Sequence, residues 1–128
     1  MKTIGIGVDI VQNIRIYKSI QNKKFISRIF GKKEIFISKK TFDKTKFFSK
    51  RFAAKEAFVK ALGTGFREKL NFKDIQILNN KLGKPYYLVN SKIDNLIKKK
   101  KKIKKFNLLL SISDENEYSV AFAIIQKL

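Results

Sequence analysis

Histidine, cysteine and tryptophan are absent from this 128-residue chain, proline and methionine occur once each, and only ten residues are acidic. Each absence removes a class of chemistry. Without cysteine there is no disulfide framework and no thiolate nucleophile, and without cysteine and histidine together there is no Cys/His zinc site. A serine–histidine triad is excluded as well, so acid–base work falls to Asp, Glu, Lys or Tyr. No stretch approaches the ~20 apolar residues of a membrane span. The apolar start, Thr3-Ile4-Gly5-Ile6-Gly7-Val8, is stopped by Asp9, which makes it too short for the apolar region of a signal peptide. The expectation is a soluble, cytoplasmic protein with no stable membrane association.

What the chain has in excess is positive charge: 30 Lys and Arg give a formal net charge of +20. Of these cations 26 are Lys and 4 are Arg, and Lys, Ile, Phe and Asn together fill 65 positions. All four are read from A- and T-rich codons, so part of the charge reflects nucleotide composition. The remainder predicts polyanionic partners: nucleic acid, phosphate-bearing ligands, an acidic protein or an anionic membrane. The run Lys98 to Lys102, with Lys104 and Lys105, falls at the end of a predicted helix. Lysines there favour the helix macrodipole, so a solvated helix end is expected rather than a nucleic-acid site.

The length suits one domain over residues 1–128, with no internal repeat and no Pro/Gly/Ser linker. Alternation of Ile4, Ile6, Val8 and Ile10 predicts a half-buried strand, with Asp9 on its other face. Ile16 and Ile20 carry a short helix; Phe25, Ile26, Ile29 and Phe30 carry another, which Gly31 breaks. The strongest helix runs from about Lys44 to Leu62, with Ala54, Ala57, Phe58, Ala61 and Leu62 on one face and Gly63 where a left-handed cap belongs. Strands are expected over Asp74 to Leu78, Tyr86 to Val89, Phe106 to Ser113 and Tyr118 to Ile125. Asn79 to Pro85 forms a turn, and Ser91 with Asp94 begins a further helix in the manner of a capping box. The order βααα–ββ–α–ββ indicates a compact α+β domain whose antiparallel sheet packs on helices.

Within the long helix, Glu56 and Lys60 lie 40° apart at 100° per residue, opposite the Ala54/Phe58/Ala61 stripe, and Arg51 with Lys55 forms a second such pair. Alone, the Glu56–Lys60 pair is an ordinary surface pair worth a few tenths of a kcal/mol. Two features change that weighting. Thr64 between Gly63 and Gly65 leaves backbone N–H groups open to a phosphate, although Gly-Thr-Gly alone is weak. Asp9 is an acid at the end of an apolar strand in an acid-poor chain. A strand carboxylate and a helix carboxylate can share Mg²⁺, which takes one or two carboxylates, keeps water and accepts phosphate oxygens.

Gly5-Ile6-Gly7-Val8-Asp9-Ile10-Val11, Arg15-Ile16, Arg51-Phe52-Ala53-Ala54-Lys55-Glu56-Ala57 and Lys60-Ala61-Leu62-Gly63-Thr64-Gly65 closely resemble holo-[acyl-carrier-protein] synthases. These are the short, bacterial-type 4′-phosphopantetheinyl transferases. The resemblance continues through Leu82-Gly83-Lys84-Pro85 and Ser111-Ile112-Ser113-Asp114 to Tyr118-Ser119-Val120-Ala121, over almost the whole chain. It implies transfer of 4′-phosphopantetheine from coenzyme A to a serine of apo acyl carrier protein, releasing adenosine 3′,5′-bisphosphate, in support of fatty acid biosynthesis. It casts Asp9 and Glu56 as Mg²⁺ ligands and Lys60 as the cation on the reacting phosphate. It suggests Glu56 as the base, directly or through a metal-bound water, with a neutral lysine as the other candidate. Arg51, Lys55, Gly63, Thr64, Gly83, Lys84 and Pro85 match coenzyme A positions, and Arg15, Lys18, Lys24 and Arg28 match the helices that dock the acidic carrier. The resemblance also implies a homotrimer with sites at subunit interfaces. This chain departs from many members in having Leu109 and Asp114 at or near positions that carry histidine.

Two other classes fit parts of the pattern. A small basic RNA- or ribosome-binding module explains the charge but leaves Asp9 without a role and lacks a stacking motif. A relative that keeps the fold and has lost activity remains compatible with the missing histidines. The balance expects no nucleic-acid partner.

Overall fold

The computed structural model describes residues 1–63 and 70–128. Strand β1 (Lys2–Gln12) leads into three short helices, α1 (Asn13–Ser19), α2 (Lys23–Ile29) and α3 (Lys32–Ser38), and then the long helix α4 (Lys44–Leu62). After a 3₁₀ turn at Phe72–Asp74 come β2 (Gln76–Asn79), β3 (Pro85–Leu88), α5 (Ser91–Lys101), β4 (Phe106–Asp114) and β5 (Tyr118–Lys127). The strands form an antiparallel sheet in the order β1-β5-β4 and an antiparallel β2-β3 hairpin. This is the α+β arrangement expected from the order of elements, with one helix more.

The extra helix is α3. Gly31 does break a pattern, but it then serves as the N-cap of the next helix, where Glu34 accepts a 2.9 Å hydrogen bond from its N–H. Glu34 is wholly buried and also faces Lys55 of α4, equally buried, with Nζ 2.7 Å from Oε1. Its second oxygen accepts from the Ile77 N–H at 3.1 Å. Lys55 places its remaining donors on the carbonyls of Phe72, at 3.0 Å, and Ile75. One ion pair therefore ties α3, α4, the 3₁₀ turn and β2. Burial pulls the Lys55 pKa down and the Glu34 carboxylate opposes that pull.

Smaller differences have local causes. The strand expected from Asp74 starts at Gln76, because Asp74 folds back to accept from the Asn71 N–H at 2.9 Å. Asn90, not Ser91, caps α5; its side chain accepts from the Ile93 N–H at 2.9 Å. Lys102 ends α5 in the left-handed region at φ 55°, and Lys98 pairs with Asp94 at 2.9 Å.

The alternation of β1 is present, but its faces are used in the reverse of the half-buried pattern. Ile6, Val8 and Ile10 are 60%, 52% and 63% exposed. The face against α4 carries Gly5, Gly7, Asp9 and Val11, and a register irregularity between Thr3 and Gly5 lets Ile4 pack on the core instead. Close approach explains the glycines. A Cβ on Gly7 would stand 2.6 Å from the Ala61 nitrogen and 2.9 Å from the Lys60 Cβ, and would meet the Ala57 carbonyl; one on Gly5 would meet the Ala61 carbonyl. From the helix side, Ala53, Ala54, Ala57 and Ala61 are buried, as are Ala121, Ala123 and Ile125 of β5. Being covered on several sides, α4 buries Phe47, Phe48, Val59 and even Arg51 besides its expected stripe. Asp43 caps its start, accepting from the Lys46 N–H at 3.0 Å, and Gly63, at φ +83°, caps its end.

Gly7→Ala should therefore destabilise the fold by ~1–3 kcal/mol, the usual penalty of overpacking, measured as a lowered midpoint of chemical denaturation. Ile6→Ala in the uncovered face provides the contrast, at well under 1 kcal/mol in the isolated chain.

Candidate active site

The glycine–alanine contact delivers the acid. Along one strand face residues recur every two positions, about 6.6 Å, close to the 5.4 Å of one helical turn. Gly5 lies against Ala61 and Gly7 against Ala57, so the next residue on that face, Asp9, arrives at the charged side of α4. There Lys60 Nζ stands 3.2 Å from Asp9 Oδ1 and donates to the Val8 carbonyl at 2.9 Å. Partial burial raises the Glu56 pKa above the usual carboxylate range, the Asp9 charge raises it further, and Lys60 opposes both.

Asp9 and Glu56 line a cavity of about 460 Å³ together with Arg15, Gln12, Phe25 and Phe52. Among the described residues no group of three or more acidic, histidine or cysteine side chains gathers as a metal cage. Two carboxylates and no softer donor are a set that suits Mg²⁺, which fills its remaining positions with water and substrate oxygens, and suits zinc poorly. Arg15 is carried into the same cavity by α1. Asn13 pins that helix: its side chain donates to the Glu115 and Asn116 carbonyls at 2.9 and 3.2 Å and accepts from Ser119 Oγ at 2.8 Å.

A second cavity, about 350 Å³, brings together Arg51, Gly83 and Pro85 with Thr41, Lys50 and Asn79. Arg51 is 5% exposed, its guanidinium 3.6 Å from the Phe47 ring centre. It donates to Asn79 Oδ1 at 2.6 Å, and the Asn79 amide donates to the Gly83 carbonyl at 2.8 Å. Burial lowers the Arg51 pKa to about 10, with Glu34 opposing, which leaves it cationic at neutral pH. Gly83 turns the hairpin at φ +87°. Asn79, expected only as the start of a turn, ends β2, and Phe47 was not expected at the site; its four-residue spacing from Arg51 on a helix was the signal.

The structure separates the other expected site residues. Lys55 is a correction: all three of its donors are engaged inside the protein, so it is a structural cation and not a coenzyme A contact. Lys84 is exposed in the hairpin turn and Gly63 is exposed at the end of α4, and neither lines the two cavities. Thr64 lies outside the described residues. Arg15 and Lys18 on α1, and Lys24 and Arg28 on α2, are all exposed.

Comparison with known proteins decides the family. The family model of the 4′-phosphopantetheinyl transferase superfamily matches residues 5–123. The chain belongs to this superfamily. A holo-[acyl-carrier-protein] synthase of Pelagibacter ubique is 61% identical over 127 residues, covering 99% of both chains. Among solved structures, the holo-[acyl-carrier-protein] synthase of Neisseria meningitidis superposes with a TM-score of 0.88 at 34% identity, over 98% of this chain and 99% of that one. The synthase of Bacillus anthracis in complex with CoA (3′,5′-ADP) gives a TM-score of 0.82 at 32% identity over the full length of both. The Asp9, Glu56 and Lys60 constellation thus sits in a superfamily fold matched from end to end.

The coupling inside that constellation has opposite signs for its two neighbours. Asp9→Asn should lower the Glu56 pKa, though not to the ordinary value because burial remains, and Lys60→Met should raise it further. Carboxyl-carbon NMR titration of Glu56 in the metal-free protein reads both shifts.

Proposed function

We propose that this chain is a holo-[acyl-carrier-protein] synthase, transferring 4′-phosphopantetheine from coenzyme A to a serine of apo acyl carrier protein with release of adenosine 3′,5′-bisphosphate. The observation that carries this is that Asp9 and Glu56 line one cavity with Arg15 while Lys60 reaches Asp9 at 3.2 Å, in a chain so similar to curated synthases. In-line transfer at phosphorus asks a protein for charge neutralisation and positioning more than covalent chemistry. Asp9 and Glu56 would hold Mg²⁺, which supplies Lewis-acid stabilisation of the pyrophosphate oxygens when bound. The serine Oγ–phosphorus bond forms as the pyrophosphate P–O bond breaks, and the electron pair leaves on adenosine 3′,5′-bisphosphate. Lys60 neutralises charge on the phosphate. Its Nζ already donates to Asp9 and the Val8 carbonyl, and Glu56 is the group assigned to receive the serine proton. Arg15 and Lys18, with Lys24 and Arg28, present cations to the acidic carrier, and the product supplies fatty acid biosynthesis in the cytoplasm.

The second cavity fits the nucleotide end of coenzyme A, yet it shares no described lining residue with the first. The outer sheet face is apolar and uncovered, with Ile6, Val8, Ile10, Leu109 and Phe122 all at least 40% exposed. Both facts support assembly of copies through the sheet; the assembly proposed is a homotrimer in which one chain's Arg51 cavity meets another's carboxylates. No described helix is long and apolar enough to cross a membrane, consistent with a carrier substrate met in solution.

With coenzyme A, Mg²⁺ and apo acyl carrier protein, mass spectrometry of the carrier should show addition of the phosphopantetheine arm. Absence of transfer by folded protein overturns the assignment. Asp9→Ala and Glu56→Ala should each reduce transfer at least ~100-fold, while Arg15→Ala should raise KM for the carrier with kcat little changed. If sites span two chains, Arg51→Ala and Glu56→Ala proteins, inactive separately, regain activity when refolded together; no recovery places both groups on one chain.

A further inference from the structure

The Arg51 cavity contains one acid among its described lining residues, Asp114, at the end of β4. Its two oxygens face two lysines one turn apart on α4: Lys46 Nζ at 3.4 Å from Oδ2 and Lys50 Nζ at 3.9 Å from Oδ1. All three side chains are about one-third exposed or less, at 28% for Asp114, 31% for Lys46 and 36% for Lys50. Lys50 lines the cavity beside Arg51, whose Nε is buried without a hydrogen-bond partner. The cation cluster at this mouth is therefore already neutralised in part by an internal carboxylate. A half-buried charge feels its neighbours more strongly than one in open water.

Resting on the coenzyme A assignment above, we propose that Asp114 is a resident counter-anion, and that an incoming nucleotide phosphate takes over Lys50 from it. Binding is then an exchange of partners. The lysine gains a phosphate and loses a carboxylate, and the displaced Asp114 stays close enough to repel the ligand. Asp114 thus sets a moderate affinity for adenosine 3′,5′-bisphosphate, the group that must enter with the substrate and leave as product. It is a positioning residue that acts through the lysines.

The test is calorimetric titration of adenosine 3′,5′-bisphosphate into the parent chain, Asp114→Asn and Asp114→Asn/Lys50→Met at several salt concentrations. Removing one unit charge near a phosphate should tighten binding of the single variant by about five- to tenfold at low salt. The advantage should shrink as salt rises, and should vanish in the double variant. A contact that merely held β4 on α4 would loosen binding when broken. Unchanged or weaker binding by Asp114→Asn overturns the proposal, as does full tightening in the double variant, which would take Lys50 out of the exchange. A parallel titration of coenzyme A into the parent chain separates the two claims: if it does not bind, the enzyme assignment falls and takes this inference with it. If the parent binds and Asp114→Asn gains nothing, only the inference falls.

Discussion

A strand and a helix lie backbone to backbone in this protein because neither presents more than a methyl group to the other. Gly5 and Gly7 of β1 meet Ala57 and Ala61 of α4 so closely that the smallest side chain would collide with the helix carbonyls. Everything charged in the proposed site depends on that distance. Asp9 sits on a strand and Glu56 and Lys60 sit on a helix 47 residues or more away. Only a close packing of the two elements lets a 3.2 Å ion pair bridge them. The same packing leaves the opposite face of β1, with its isoleucines and valine, open for another protein surface.

The second constraint is electrostatic and lies at Lys55, beside Glu56 in α4. A lysine with no solvent contact is tolerable only when each of its protons has an acceptor and its charge has a counter-ion. Glu34 and two carbonyls meet that requirement for Lys55. This fixes the short helix α3 and the turn before β2 around the middle of α4. Removing either partner alone would leave an uncompensated buried charge, so the pair works as a unit. It is also the frame that holds Arg51, one turn earlier, over Phe47 and against Asn79.

Much of this was legible in the chain. Alternation, caps and helical spacing located β1, α4, both terminal strands and the hairpin, and motif resemblance singled out Asp9, Glu56 and Lys60. The failures are instructive because each concerns a choice that periodicity leaves open. Alternation told that Ile6, Val8 and Ile10 share a face but not whether that face meets a helix, and glycines carry no hydrophobic signal for the face that does. Lys55 looked like half of a surface pair with Arg51, since burial of a cation depends on a partner 21 residues away. Glu34 escaped notice for the same reason, and with it α3. Asp114 was noted as a departure from a histidine pattern, yet its lysine partners on α4 emerge only from the folded geometry.

The methyl-thin contact between β1 and α4 also explains an oddity of composition. Alanine and glycine are encoded by G- and C-rich triplets, which a chain so full of lysine, isoleucine, phenylalanine and asparagine would be expected to lose. Six alanines remain in the whole sequence, Ala53, Ala54, Ala57, Ala61, Ala121 and Ala123. Every one is at most 3% exposed, on α4 or on the strand beneath it. On the surface, where lysine serves as well as anything, the drift in codon usage has run freely. At this one seam a larger side chain would part the strand from the helix, and there the drift has stopped. The few alanines left in the chain, with Gly5 and Gly7, therefore mark out the packing on which its carboxylates depend.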